Sequence, residues 1–339
     1  MKAGIIGFPG SGRDTVFRAL TALPRVEGLN EQRLGEALVE DARLDYLSGL
    51  FNPKKHTPAK LELFSARPLG QNKNESIRLS LEKVRDCDVL LLVVRNFPDP
   101  SQKTQAPLEE AEEILNEFLV TDYISVEKRL ERLGEERKRG KKADPIEAEL
   151  LDLAKGLLEA NTPLRGEPKI TCAPLLKGFG FLSAKPYLVL VNNPDDGDDS
   201  FKLSAPLPQL SLRGNLEAEI AALEPEEAPE FLADYGLKEP GRARVIKTLY
   251  ELMELISFFT VGEDECRAWT LTRGEDALTA AGKIHSDIKK GFIRAEVVAF
   301  DDFKATGGFA EAKKKGVFRL EGKTYKVIDG DIIHFRFNV

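Results

Sequence analysis

Lys2-Ala3-Gly4-Ile5-Ile6-Gly7-Phe8-Pro9-Gly10-Ser11-Gly12-Arg13-Asp14-Thr15 decides the reading of the chain, because a short apolar run leads straight into a glycine-rich loop. Val16, Leu20 and Leu23 follow at helical spacing. Strand, glycine loop and helix in that order are the setting of the phosphate loop G-x-x-x-x-G-K-[ST]. There, backbone amides cradle phosphates, the Lys reaches the β and γ groups, and the hydroxyl ligates magnesium. Gly7 and Gly12 stand in register, but Arg13 occupies the Lys position and Asp14 the hydroxyl position. Arg keeps the charge as a broad planar fork instead of a compact point, and Asp14 adds negative charge where phosphates are negative. The candidate phosphate-binding set is Gly7, Gly10, Ser11, Gly12, Arg13, Asp14 and Thr15, with Asp14 and Thr15 as weak candidates for a magnesium ion. A Gly/Pro-rich turn that binds nothing is the other reading of the same residues.

Working outward, further strands are expected at 60–64, 88–94 and 187–191; the second of these is a continuous apolar run of the kind buried on both faces. Such strands alternating with helical pattern indicate an α/β fold with a doubly wound parallel sheet. Between the second and third of them the pattern turns helical. Val126, Leu130 and Leu133 mark one face, a turn is expected over 134–143, and Asp144-Pro145 starts a second helix carrying Ile146, Leu150, Leu153 and Leu157. Two amphipathic helices so joined should form an inserted antiparallel hairpin. Its tip, Arg137, Lys138, Arg139, Lys141 and Lys142, concentrates positive charge and reads either as a solvated turn or as an RNA contact.

The chain has 339 residues, enough for two or three domains. It is 42% hydrophobic and 31% charged, which fits a globular protein without bulk disorder. No apolar stretch reaches the length of about 18 residues that spans a bilayer, so no membrane partner and a cytoplasmic location are expected. Three scattered Cys and three scattered His, without metal or redox spacing, argue against a zinc or triad enzyme. The net charge of -7 argues against general coating of nucleic acid and leaves room for a local basic face. No DNA partner is expected. After a helix expected over 241–255, short strands, one helix near 279–290 and turns suggest a β-grasp module.

Four C-terminal stretches are distinctive: Arg267-Ala268-Trp269-Thr270, Ala281-Gly282-Lys283-Ile284-His285-Ser286-Asp287, Lys290-Gly291-Phe292-Ile293-Arg294-Ala295-Glu296-Val297, and the ending Gly330-Asp331-Ile332-Ile333-His334-Phe335-Arg336-Phe337-Asn338-Val339. They resemble the TGS domain of the YchF family, the Obg-like ATPases, and the likeness extends back to the amino-terminal loop. The resemblance implies a Ras-like P-loop domain over 1–117 and 184–257, an inserted helical hairpin over 118–183 and a TGS domain over 258–339. It also implies a translation-linked role with the ribosome or RNA as partner, and magnesium with ATP or GTP as cofactors where nucleotide binding is retained.

Three departures qualify that role. Besides Arg13 and Asp14, the family's Asp-x-x-Gly falls on Ser65-Ala66-Arg67-Pro68, and the switch segment from Val26 to Gly35 contains no Thr. Asn192-Asn193-Pro194-Asp195 keeps the base-reading Asn-x-x-Asp skeleton, so Asn192 and Asp195 are the candidate base-binding residues; Asp195 points towards guanine, the family towards adenine, and an ordinary turn fits too. The resulting expectation is a YchF-like nucleotide-binding protein with weakened or lost NTP hydrolysis. An active ATPase or GTPase using a modified loop, and a scaffold without nucleotide or RNA, are the alternatives. No catalytic residue is assigned, and the oligomeric state is open.

Overall fold

The structure, a computed structural model, describes residues 1–24, 32–66, 73–98, 106–140, 144–197, 200–224, 226–237 and 239–338. In chain order the strands are β1 (Lys2–Ile6), β2 (Gln32–Val39), β3 (Lys55–Thr57), β4 (Ala59–Ala66), β5 (Val89–Arg95), β6 (Tyr187–Asn192), β7 (Gln209–Leu212), β8 (Leu255–Thr260), β9 (Glu265–Thr272), β10 (Phe292–Ala299), β11 (Arg319–Glu321) and β12 (Asp331–Phe337). The helices are α1 (Arg13–Thr21), α2 (Ala42–Phe51), α3 (Lys73–Lys83), α4 (Pro107–Lys138), α5 (Pro145–Glu159), α6 (Pro168–Thr171), α7 (Gly214–Ile220), α8 (Ala228–Asp234), α9 (Gly241–Leu252), α10 (Ala277–Ile284), α11 (Ser286–Lys290), α12 (Phe300–Thr306) and α13 (Phe309–Lys314). The chain divides into two compact units, one of residues 1–36 and 62–245, the other of 37–61 and 246–339.

The first unit is built on a sheet of order β2-β4-β1-β5-β6-β7, in which the pairs β4-β1, β1-β5, β5-β6 and β6-β7 are parallel. Every residue of β5 and β6 is buried, as expected of strands covered on both faces. One face packs Ile6, Phe64, Leu90, Leu92, Val94, Val189 and Val191 against Ile77 and Leu81 of α3 and Ile114 and Phe118 of α4. The doubly wound sheet expected from the sequence is present. β2 and β7 were not anticipated, since neither Gln32–Val39 nor the four residues of β7 form a continuous apolar run.

α4 and α5 form the expected antiparallel pair. Arg129 bonds Glu147 at 2.7 Å near the turn, and Lys155 reaches Glu127 at 3.2 Å farther from it. Asp144 caps α5 by accepting the Ile146 N–H at 2.9 Å. The expected turn over 134–143 begins late, because α4 runs through Gly134 to Lys138. A mid-helix glycine costs about 1 kcal/mol, too little to end a helix whose Val126 and Leu133 are buried against Leu151, Ala154 and Leu158. α4 is also continuous through the expected division at 117/118. Asp122, fully buried on α4, accepts the N–H groups of Leu182 at 2.9 Å and Ser183 at 2.7 Å. Burial raises its pKa, and those bonds and the Arg85 charge pull it the other way.

The second unit carries a mixed sheet of order β11-β10-β12-β8-β9-β3. β12 runs parallel to β8, while β8-β9, β10-β12 and β10-β11 are antiparallel. Ala277, Ala280 and Ala281 of α10 pack on Phe258, Leu271, Val297 and Phe335, which gives the β-grasp arrangement of a helix on a sheet. The single helix expected near 279–290 is two helices broken at His285, whose extended backbone and ring nitrogen cap α11 through the Asp287 N–H. The helix expected over 241–255 stops at Leu252, and Leu255 opens β8, so the expected division at 257/258 falls inside that strand.

Candidate functional site

The glycine loop joins the carboxyl end of β1 to α1. Ser11 N–H donates to the Phe8 carbonyl at 3.1 Å, and the Val16 N–H takes up the Gly12 carbonyl at 2.9 Å as the helix starts. Gly12 has φ of 81°, a left-handed conformation that L side chains disfavour. A Cβ there would also collide with Asn192 Nδ2, while one at Gly7 would come within 2.6 Å of the Val93 carbonyl oxygen. Gly7 is therefore required by close approach of backbone, and Gly12 by its left-handed conformation with Asn192 beside it.

Asn192, at the end of β6, clamps this loop. Its Nδ2 donates to the Ser11 carbonyl at 3.0 Å, and its Oδ1 accepts the Gly214 N–H at 3.0 Å from the start of α7. An amide has two N–H groups and two acceptor lone pairs, so one of each remains at Asn192 beyond these bonds. Asn96 N–H donates to the Asn192 carbonyl at 2.8 Å, and the Asn96 amide bonds Asn193 Oδ1 at 2.9 Å. The carboxyl ends of β1, β5, β6 and β7 are thereby tied together around the loop. A buried ion pair, Arg95 to Glu110 at 3.1 Å, closes the end of β5 onto α4.

Of the sequence-derived residues, Arg13 is almost buried and Asp14 is 60% exposed, with Nη2 and Oδ1 3.5 Å apart. Thr15 is half-buried. The Ser11 and Ser65 hydroxyls are buried and have no hydrogen-bond partner among the described residues. Ser65 lies beside Ile5 in the β4-β1 pairing. Arg67 and Pro68 lie outside the described residues, as do residues 26–31 of the switch segment; Gln32–Gly35 begin β2. Asp195 is exposed, and its Oδ2 accepts the Asn215 amide at 3.0 Å. Arg137 and Lys138 end α4, Arg139 is its C-cap, and all three are exposed, Arg139 pairing with Glu135 at 3.3 Å. Lys141 and Lys142 lie outside the described residues.

Sequence reasoning missed Asn96, Gly214 and Asn215. Each follows a strand end, and the last two were hidden because β7 itself was missed. The phosphate cradle fits an anion: backbone turns, two obligatory glycines and an adjoining helix start. The metal donor set fits less well, since Asp14 points outward and Ser65 offers only a hydroxyl.

Over an alignment of 366 positions that covers all of both chains, the sequence is 37% identical to the ribosome-binding ATPase YchF of Bacillus subtilis. The chain belongs to the YchF family. It is likewise 33% identical to the ribosome-binding ATPase YchF of Escherichia coli O157:H7, over 100% of this chain and 99% of that one. To the Obg-like ATPase 1 of Oryza sativa it is 33% identical, over 100% and 92%. The family model YchF-GTPase_C, described as a protein of unknown function (DUF933), matches residues 255–338 of this chain. Among solved structures, the YchF GTPase of Schizosaccharomyces pombe superposes with a TM-score of 0.84 at 27% identity, over 99% of this chain and 97% of that one. A GTP binding protein from Pyrococcus horikoshii shares the fold, with a TM-score of 0.61 at 18% identity over the whole of both chains. The P-loop α/β fold expected from the sequence is thus that of YchF.

Proposed function

We propose that this YchF-family protein binds a nucleotide at the glycine loop, associates with the ribosome or RNA, and hydrolyses NTP weakly or not at all. The observation that carries the reading is the loop itself: Gly7 has no room for a Cβ against the Val93 carbonyl, Gly12 takes a left-handed backbone and is clamped by Asn192, while Arg13 and Asp14 stand where the phosphate-loop Lys and hydroxyl belong. Phosphoryl transfer depends on positioning and charge stabilisation, and losing one preorganised donor typically costs about 2.7–4 kcal/mol of barrier. Asp14 and Thr15 are the residues that could meet a magnesium ion; with Asp14 turned outward they would hold it weakly, which accords with weak or absent hydrolysis. Asn192 and Asp195 would face the base, with Asp195 favouring guanine. The ribosome association rests on the relatives, which are ribosome-binding ATPases, and its contact surface on the exposed tip at Arg137, Lys138 and Arg139, with Lys141 and Lys142 next in sequence. The working division is a P-loop domain over 1–117 and 184–257, a hairpin over 118–183 and a TGS domain over 258–339, in a cytoplasmic protein.

Calorimetric titration with ATP, GTP and their diphosphates, with and without magnesium, tests the nucleotide part. The expected result is binding by the natural chain with turnover far below about 1 per second, and faster turnover in an Arg13→Lys/Asp14→Ser variant. Turnover at that ordinary rate by the natural chain would favour a working enzyme with a modified loop. Absence of binding in the natural chain would overturn the nucleotide reading.

A further inference from the structure

The glycine loop presents its backbone to a phosphate more than its side chains. Arg13, Asp14 and Thr15 open α1, and the first-turn N–H groups of a helix have no partner inside it. Gly10 and Gly12 take positive φ of 82° and 81°, which turns the chain tightly here. Within the loop the Ser11 hydroxyl is 1% exposed and has no hydrogen-bond partner among the described residues; its oxygen lies 2.4 Å from where a Gly7 Cβ would stand. Backbone N–H groups gathered in this way suit a phosphate group.

The charged side chains of the loop add no net charge. Arg13 and Asp14 carry one charge of each sign, and Arg13 Nη2 lies 3.5 Å from Asp14 Oδ1, so each meets the other first. A metal ion at Asp14 would have the guanidinium beside it. Thr15 is half-buried and the next residue of the helix, about 100° around it from Asp14, so the two do not turn their oxygens to one ion. In P-loops that transfer phosphoryl groups, a carboxylate from beyond the loop completes the hold on magnesium. The strands on either side of β1 end in Ser65-Ala66 on β4 and Val94-Arg95 on β5, which provide a hydroxyl and a cation instead. Glu110 of α4 is already held by Arg95 at 3.1 Å. Among the described residues, no three His, Cys, Asp or Glu side chains gather where they could hold a metal ion.

We infer that the loop takes a nucleoside diphosphate free of metal and disfavours the triphosphate, an inference that rests on the nucleotide reading above and names the ligand of that same site. A diphosphate gives its terminal phosphate to the loop N–H groups and requires no further cation. A triphosphate brings one more anionic group, with no ion to neutralise it and the Asp14 carboxylate close to the loop. The site then registers the diphosphate itself and does not alternate between two metal-bound forms.

Calorimetry on the full chain with GDP, ADP and the β,γ-imido analogues of GTP and ATP, in EDTA and in millimolar magnesium, tests the inference. The preferred diphosphate is expected to bind one to one in EDTA and no tighter in magnesium. It should also bind at least about tenfold more tightly than the matching triphosphate analogue, the scale of one charged group left unpaired. Asp14→Asn, at an exposed position, removes the neighbouring negative charge and should narrow that gap, with diphosphate binding still independent of magnesium. Tighter binding of the diphosphate in magnesium, a triphosphate analogue bound as tightly as the diphosphate, or a gap unchanged by Asp14→Asn would each overturn the inference and leave the nucleotide reading standing. Absence of binding by every nucleotide in both buffers would overturn the two together.

Discussion

Gly12 meets two separate demands, a left-handed backbone and a Cβ direction blocked by Asn192 Nδ2. They can be told apart. Gly12→Ala incurs the left-handed penalty of roughly 1–2 kcal/mol in any background, but the collision only while Asn192 is present. In urea denaturation, Gly12→Ala should therefore cost more in the natural chain than in an Asn192→Ala background, a coupling of the size contacting residues show. Additive losses would mean that the amide moves aside and the clamp is loose. The glycine register of this loop was legible because its residue types are few and their spacing is fixed. The clamp was legible only as half of an Asn-x-x-Asp motif. Nothing in the sequence says that Asn192 faces the loop backbone, because that contact spans 181 residues and depends on β5 lying between β1 and β6.

At the scale of elements, long apolar runs announced themselves and short mixed ones did not. β5 and β6 are uniformly buried and were found within a residue, whereas β2, with an alternating pattern, takes its identity from its neighbour β4, and β3, with three residues, from β9 far along the chain. Buried polar anchors are similarly invisible before folding. Asp122→Ala should leave the Leu182 and Ser183 N–H groups unpaired, and each buried unsatisfied donor costs about 1–3 kcal/mol. A urea midpoint near that of the natural chain would show that water replaces the carboxylate. In the second unit, Tyr325 donates to the buried Asp331 at 2.8 Å, and burial together with that carboxylate pushes the phenol up from 10.0 to about 12. A folded-state pKa raised in this way contributes stability that is fully present below pH 10 and is lost as pH rises towards 12. Tyr325→Phe should destabilise the fold below pH 10 by about 1.5–3 kcal/mol and flatten the decline between pH 10 and 12. Equal slopes for the two proteins across that window would remove Tyr325 from the account.

For the molecule as a whole, a net charge of -7 should repel RNA, so any association must gather its cations locally. The tip of the α4-α5 hairpin is such a gathering: Arg137, Lys138 and Arg139 are exposed at the end of a 32-residue helix, and Lys141 and Lys142 follow in sequence. Arg139 shares its charge with Glu135 through an exposed pair, which water screens to little net value. If the tip binds RNA phosphates, replacing all five cations with Gln should weaken co-sedimentation with purified ribosomes. It should also make the logarithmic salt dependence shallower by up to about 3.5, following counterion release from single strands. Nucleotide titration of the variant should be unchanged, since the glycine loop keeps its own contacts. Ribosome binding with the natural affinity and salt slope would take the tip out of the interface and leave the association to some other surface of the chain.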